Sequence, residues 1–126
     1  MIKYESKASI LFRHWLRANP QKTCSYEIKD ARGKDYLNFS EVKQEQIDYA
    51  LAIQSDRGVL MRTVAVSTGM PDYLYMRKEK AYIVIKFKSG FVIIPIQNFL
   101  ACKTKSKRRS LTFLEAMKIG RGVVKV

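Results

Sequence analysis

Ala81-Tyr82-Ile83-Val84-Ile85-Lys86-Phe87, then Lys88-Ser89-Gly90, then Phe91-Val92-Ile93-Ile94-Pro95-Ile96 is the stretch that decides the fold class. Two near-continuous apolar runs are joined by a turn. A strand covered on one face alternates apolar with polar, whereas a strand covered on both faces does not. These runs therefore predict a sheet flanked by helices on both sides. Pro95 cannot donate to a ladder, which moves the second run toward an edge.

The elements on either side fit an α/β order. Upstream, Val59–Val66 reads as a strand, Gly69-Met70-Pro71 as a break, Asp72–Arg77 as a short strand and Lys78-Glu79-Lys80 as a turn. Before these, a helix is predicted from Glu41 to about Gln54, with Ser40 as N-cap and Asp56-Arg57-Gly58 closing it. Cys24–Lys29 alternates as a strand, and Asp30–Asp35, with Gly33, reads as a turn. Tyr4, Ala8, Leu11, Phe12 and Trp15 form one apolar stripe of a first helix that Asn19-Pro20 ends. Downstream, the apolar spacing within Ser110–Ile119 predicts a docked helix. The expectation is one α/β domain over 1–126: helix, strand, helix, three or four strands, helix.

Composition restricts the partners. With 126 residues, 47% of them hydrophobic, the chain can bury a core and is not of disordered type. Lys plus Arg number 24 against 11 acids, a net charge of +13, and this excess points to a polyanion, nucleic acid first. Residues 101–126 hold eight of the basic residues and one acid, Glu115. Lys105, Lys107, Arg108 and Arg109 are the candidate phosphate contacts; the competing reading is a solvated tail. No apolar run approaches the ~18–20 residues of a membrane span, and no helix pairs a basic face with a broad apolar one. Met1–Glu5 lead into a helix rather than a signal-peptide core, so a cytoplasmic location is expected. Cys24 and Cys102 stand far apart, and the single His, His14, cannot complete a zinc site with them.

The remaining chemistry rests on carboxylates, a lysine and a glutamine. In Tyr26-Glu27-Ile28-Lys29, residues two apart share a strand face, so Glu27 and Lys29 project together. A carboxylate beside an ammonium can hold a divalent metal and offset a developing charge; it can equally be an exposed ion pair. Val42, Gln46, Tyr49, Ala50 and Ile53 share one stripe of the second helix. An inward amide must find partners, and Gln46 is either an edge residue or one that reaches toward the Glu27–Lys29 face. Glu5 lies within about 20° of Phe12 around the first helix, either complementing the helix dipole or joining a site.

Glu27-Ile28-Lys29, the Gly33-Lys34 turn and the segment Leu37–Ile47 with Gln46 together resemble the core of the RecU-like Holliday-junction resolvases, in the PD-(D/E)XK nuclease superfamily. Ala81–Phe99 is similar to that family's next strand pair, and Ser106–Leu111 to its later basic segment. The resemblance implies a restriction-endonuclease-like mixed sheet flanked by helices, with an αβββαβ core. It further implies Mg²⁺ or Mn²⁺, hydrolysis of phosphodiesters in branched DNA, and a homodimer. Carried over, Glu27 would be a metal ligand and Lys29 would serve the attacking water or the phosphorane. Glu5 would match the first-helix glutamate and Gln46 the helix glutamine. The family's metal-binding Asp precedes the E-x-K strand, and Asn19–Tyr26 holds no acid. Asp72 is expected to replace it, from a hairpin formed by the apparent insertion Val59–Lys80; the competing reading is an ordinary turn aspartate after Pro71. A non-catalytic nucleic-acid-binding protein on a nuclease-like scaffold is the alternative function.

Overall fold

In the computed structural model, which describes residues 4–18, 24–55, 59–64, 71–77 and 79–123, the apolar run 81–87 forms the middle of the molecule. Strand β5 (Lys80–Phe87) is hydrogen-bonded on one side to β1 (Cys24–Asp30), in parallel, and on the other to β6 (Gly90–Pro95), antiparallel. Ile83, Val84 and Ile85 are all fully buried because both faces of β5 are covered. On one face lies α1 (Tyr4–Ala18), whose Ala8, Phe12 and Trp15 pack on Val84 and Phe91. The other face meets α2 (Gln44–Gln54) and α3 (Ile96–Lys105) through Ile47, Ile53, Ile96 and Phe99. The expected α/β class is present, and of the expected α1 stripe Ala8, Leu11, Phe12 and Trp15 pack together, while the Tyr4 side chain lies outside the described residues.

A parallel pair needs a long crossover, and α2 supplies it between β1 and β5. The hairpin of β3 (Val59–Val64) and β4 (Pro71–Arg77) is inserted in that crossover as a separate two-stranded sheet. This is the hairpin expected of the 59–80 insertion. The short strands β2 (Tyr36–Asn38) and β7 (Ser110–Thr112) pair with each other, and β8 (Arg121–Val123) extends the main sheet beyond β6. The order in the main sheet is β1-β5-β6-β8.

Several boundaries differ from expectation, each for a local reason. Ser40 is not the cap of α2: Phe39–Glu41 forms a 3₁₀ turn around the buried Phe39, Val42 and Lys43 are extended, and the helix starts at Gln44. Tyr49 is exposed, and the inward face of α2 is Ile47, Ala50 and Ile53. Pro95 does not mark an edge strand; it ends β6 and sits at the N-cap of α3, a helix absent from the expected order. The segment 110–119 divides into β7 and α4 (Phe113–Ile119). Among the described residues two strands rather than three separate α1 from α2, and only β1 of these joins the main sheet.

Tight closures hold the ends together. Asp30 Oδ1 accepts the Arg32 N–H at 2.7 Å as the chain turns through Arg32 (φ 56°) and Gly33 (φ 78°), a left-handed pair that an Asx turn and a glycine favour. Gly120 lets α4 run directly into β8, since a Cβ there would lie 2.5 Å from the Ile93 carbonyl oxygen. Thr112 caps α4, its Oγ1 accepting from the Glu115 N–H at 3.2 Å and donating to Glu115 Oε1 at 2.9 Å. Replacing Thr112 with Ala is expected to cost about 1 kcal/mol, read as a lower denaturant midpoint with an unchanged m-value; Thr112→Ser should recover most of it.

Candidate functional site

Strand alternation brings Glu27 and Lys29 to the α2 face of the sheet while Tyr26 and Ile28 turn toward α1. Because β1 stands at one end of the described sheet, α2 overhangs its rim there. Gln46 is on the side of α2 that reaches the rim, and its Nε2 donates to Glu27 Oε1 at 2.7 Å. Its Oε1 accepts the Lys43 backbone N–H at 3.0 Å. With one end of the amide accepting from a backbone donor and the other donating to a carboxylate, its orientation is fixed: the reversed amide would face donor to donor. Gln46 thus both caps the helix and positions the glutamate.

Lys29 Nζ lies 3.7 Å from the same Glu27 Oε1. The two partners differ in exposure: the Lys29 side chain is 6% accessible and that of Glu27 36%. The ammonium is therefore held inside while the carboxylate opens onto solvent. It opens into a cleft of about 410 Å³ lined by Cys24, Glu27, Glu45, Gln46, Tyr49 and Tyr82 among others. Of the residues expected from sequence, the structure brings Glu27, Lys29 and Gln46 together.

Glu45 is a cleft residue that sequence reasoning missed. An exposed acid in the first turn of α2 reads as a complement to the helix dipole, and only the neighbouring Gln46 contact reveals which way that turn faces. Glu5 lies in the first turn of α1 and Asp72 second in β4, and the side chains of both fall outside the described residues. Asp30, the one buried acid among the described residues, is occupied by its turn. Glu27 and Glu45 are hard oxygen donors of the kind Mg²⁺ takes. Among the described residues, however, no three His, Cys, Asp or Glu side chains come together as a metal-holding group. Mg²⁺ is commonly held by one or two carboxylates, with waters and substrate phosphates completing its shell.

The basic segment is a fixed loop rather than a tail. Lys105 ends α3, and Lys107, Arg108 and Arg109 are exposed. Ser106 Oγ accepts the Arg108 N–H at 3.1 Å, and the Arg109 carbonyl accepts the Phe39 N–H at 2.9 Å. β7 then pairs with β2, whose Leu37 packs in the same core as α2. The loop accordingly belongs to the layer on the Glu27–Lys29 face. If these side chains meet phosphates, Arg108→Ala with Arg109→Ala flattens the log–log salt dependence of duplex binding by about two units. An unchanged slope assigns the loop to solvent.

On the opposite face, Tyr26 and Tyr82 are register partners whose rings stack at 5.7 Å between centroids with 23° between planes. Burial, then the neighbouring Cys24, pushes the Tyr26 hydroxyl up to about 12; burial also raises Tyr82. Both rings stay neutral through the physiological range. His14 is exposed, and Cys24 and Cys102 are free. Among the described residues no helix is long and apolar enough to cross a membrane. No family model, curated protein or solved structure matches the chain.

Proposed function

We propose that the protein is a metal-dependent DNA endonuclease of the restriction-endonuclease-like class, related to the RecU-like junction resolvases and acting on branched DNA. The observation that carries the reading is the triad at the rim of the sheet: Glu27 Oε1 held at 2.7 Å by Gln46 and at 3.7 Å from a buried Lys29 ammonium, beside an open cleft. A buried cation beside a solvent-facing carboxylate suits a reaction whose transition state gains negative charge. The +13 chain supplies attraction to the phosphodiester backbone.

In this reading Glu27, with Glu5 and Asp72, would hold Mg²⁺ or Mn²⁺, which supplies Lewis acidity toward the phosphate when bound. Lys29 offsets the charge that develops on the phosphorane oxygens. Gln46 keeps Glu27 in one orientation, so that no reorganisation is needed during the reaction. A homodimer would present two such clefts to the two strands of a junction.

The second reading is a non-catalytic DNA-binding protein on the same scaffold, for which the +13 charge is sufficient support. One assay separates the two. Branched and linear DNA of matched sequence are incubated with Mg²⁺, Mn²⁺ or EDTA. The nuclease reading expects cleavage with either metal and none in EDTA. Salt-sensitive binding without cleavage under any of these conditions establishes the second reading, and cleavage that persists in EDTA removes the metal from the first.

A further inference from the structure

A second cleft, of about 370 Å³, begins where the first one ends. Cys24, Tyr26 and Tyr82 line both. Beyond the tyrosines the second cleft is walled by β6, by Asn98 at the start of α3, and by Lys118 and Arg121 at the junction of α4 and β8. The two halves have opposite character. Glu27 and Glu45 are on the first, whereas among the described residues no acid lines the second and its charged residues, Lys118 and Arg121, are cationic. Both cations are exposed, and Gly120 between them gives the chain its close approach to β6.

We infer that this groove binds an unpaired nucleotide strand, a base stacking on the Tyr26–Tyr82 ledge while Lys118 and Arg121 hold the backbone beyond it. This deepens the DNA reading above, resting on it for the polyanion and adding single-stranded DNA as the substrate feature recognised. Adjacent aromatic rings on a sheet surface are how proteins engage unstacked bases, since every base has a π-face and needs no sequence-specific partner. The ledge is built rather than incidental. Tyr26 is braced from behind by Phe12 in an edge-on contact at 5.1 Å, and Tyr82 lies against Tyr26 in register. Neutral tyrosines add no repulsion toward phosphate. A duplex, with its bases stacked, has no face to offer the ledge; a strand departing from a branch point has one.

Binding is measured by fluorescence anisotropy in EDTA with a labelled oligo-dT strand of about ten nucleotides and a duplex of the same length. Tyr82→Leu is expected to weaken strand binding about tenfold or more and to leave duplex binding unchanged, with Tyr82→Phe at wild-type affinity. Lys118→Ala and Arg121→Ala, at exposed positions that folding does not need, should each lower the salt slope for the strand by about 0.7. Undiminished strand binding in Tyr82→Leu, or equal losses on strand and duplex, overturns the ledge. If Tyr82→Leu is unfolded, unchanged salt slopes in both cation variants overturn the groove. Because no metal is present, the outcome is independent of hydrolysis: Tyr82-dependent strand binding in a protein that never cleaves supports the groove and sinks the nuclease reading, whereas metal-dependent cleavage with Tyr82-independent binding does the reverse.

Discussion

Lys29→Met, in the nuclease proposed above, is expected to leave DNA binding intact and to slow cleavage by about 10²- to 10³-fold, the loss typical when one preorganised group facing a developing charge is removed. Methionine keeps most of the buried stem's volume while deleting the charge. Glu27 remains partly exposed and can be solvated after losing its 3.7 Å neighbour. Lys29→Arg should also be slow, because a planar guanidinium does not fit where a compact ammonium is enclosed. Glu27→Gln supplies the companion measurement, since its amide oxygen can still accept from Gln46 Nε2 while the anionic ligand is lost. Turnover and affinity must be measured separately. A fall in cleavage matched by an equal fall in affinity makes Lys29 a binding residue, and cleavage near the wild-type rate removes it from the chemistry.

The convergence on Glu27 was legible because it follows from two periodicities. A period of two puts Glu27 and Lys29 on one strand face, and a helical stripe with a single amide points that amide at the sheet. The observed stripe lies about one position from the expected one. Ile47 rather than Tyr49 is buried, while Ala50 and Ile53 are common to both versions. That rotation leaves Gln46 and Tyr49 on the rim of α2. The rim is where an amide can reach a carboxylate that also faces solvent, so the correction explains the site instead of dissolving it. The tyrosine ledge could not be read in the same way, because the alternation that places Tyr26 and Tyr82 on one face does not reveal which two strands are neighbours.

The central strands and α1 were legible from burial patterns long enough to have a period. The three-residue strands β2, β7 and β8 have none. The helix α3 is a different case. Ile96, Phe99 and Leu100 carry an i, i+3, i+4 pattern, but Ile96 also completes the apolar run that starts at Phe91, and in sequence Pro95 reads as a sign of an edge strand. In the fold Pro95 marks the change from a period of two to one of 3.6. Proline suits that position because a first-turn N–H has no intrahelical acceptor in any case.

Phe99 is therefore the residue that tests the fold where sequence reasoning stopped. It is fully buried and meets Phe39 at 5.8 Å between ring centroids with 58° between planes. Phe39 belongs to the 3₁₀ turn that leads into α2, and its N–H is held by the Arg109 carbonyl. One aromatic contact thus joins α3, the approach to α2 and the end of the basic loop. Phe99→Ala should cost about 3–5 kcal/mol, combining lost transfer energy with an unfilled cavity, a large share of the ~5–15 kcal/mol that stabilises an ordinary domain. Phe99→Leu, which keeps much of the volume, should cost distinctly less. Leu114→Ala, on a side chain 72% exposed, should stay within about 0.5 kcal/mol of wild type. Urea unfolding of the three variants gives the comparison. A Phe99→Ala cost as small as that of Leu114→Ala would mean that α3 is not docked on the sheet, and the basic loop would lose the anchor that sets it beside the Glu27 face.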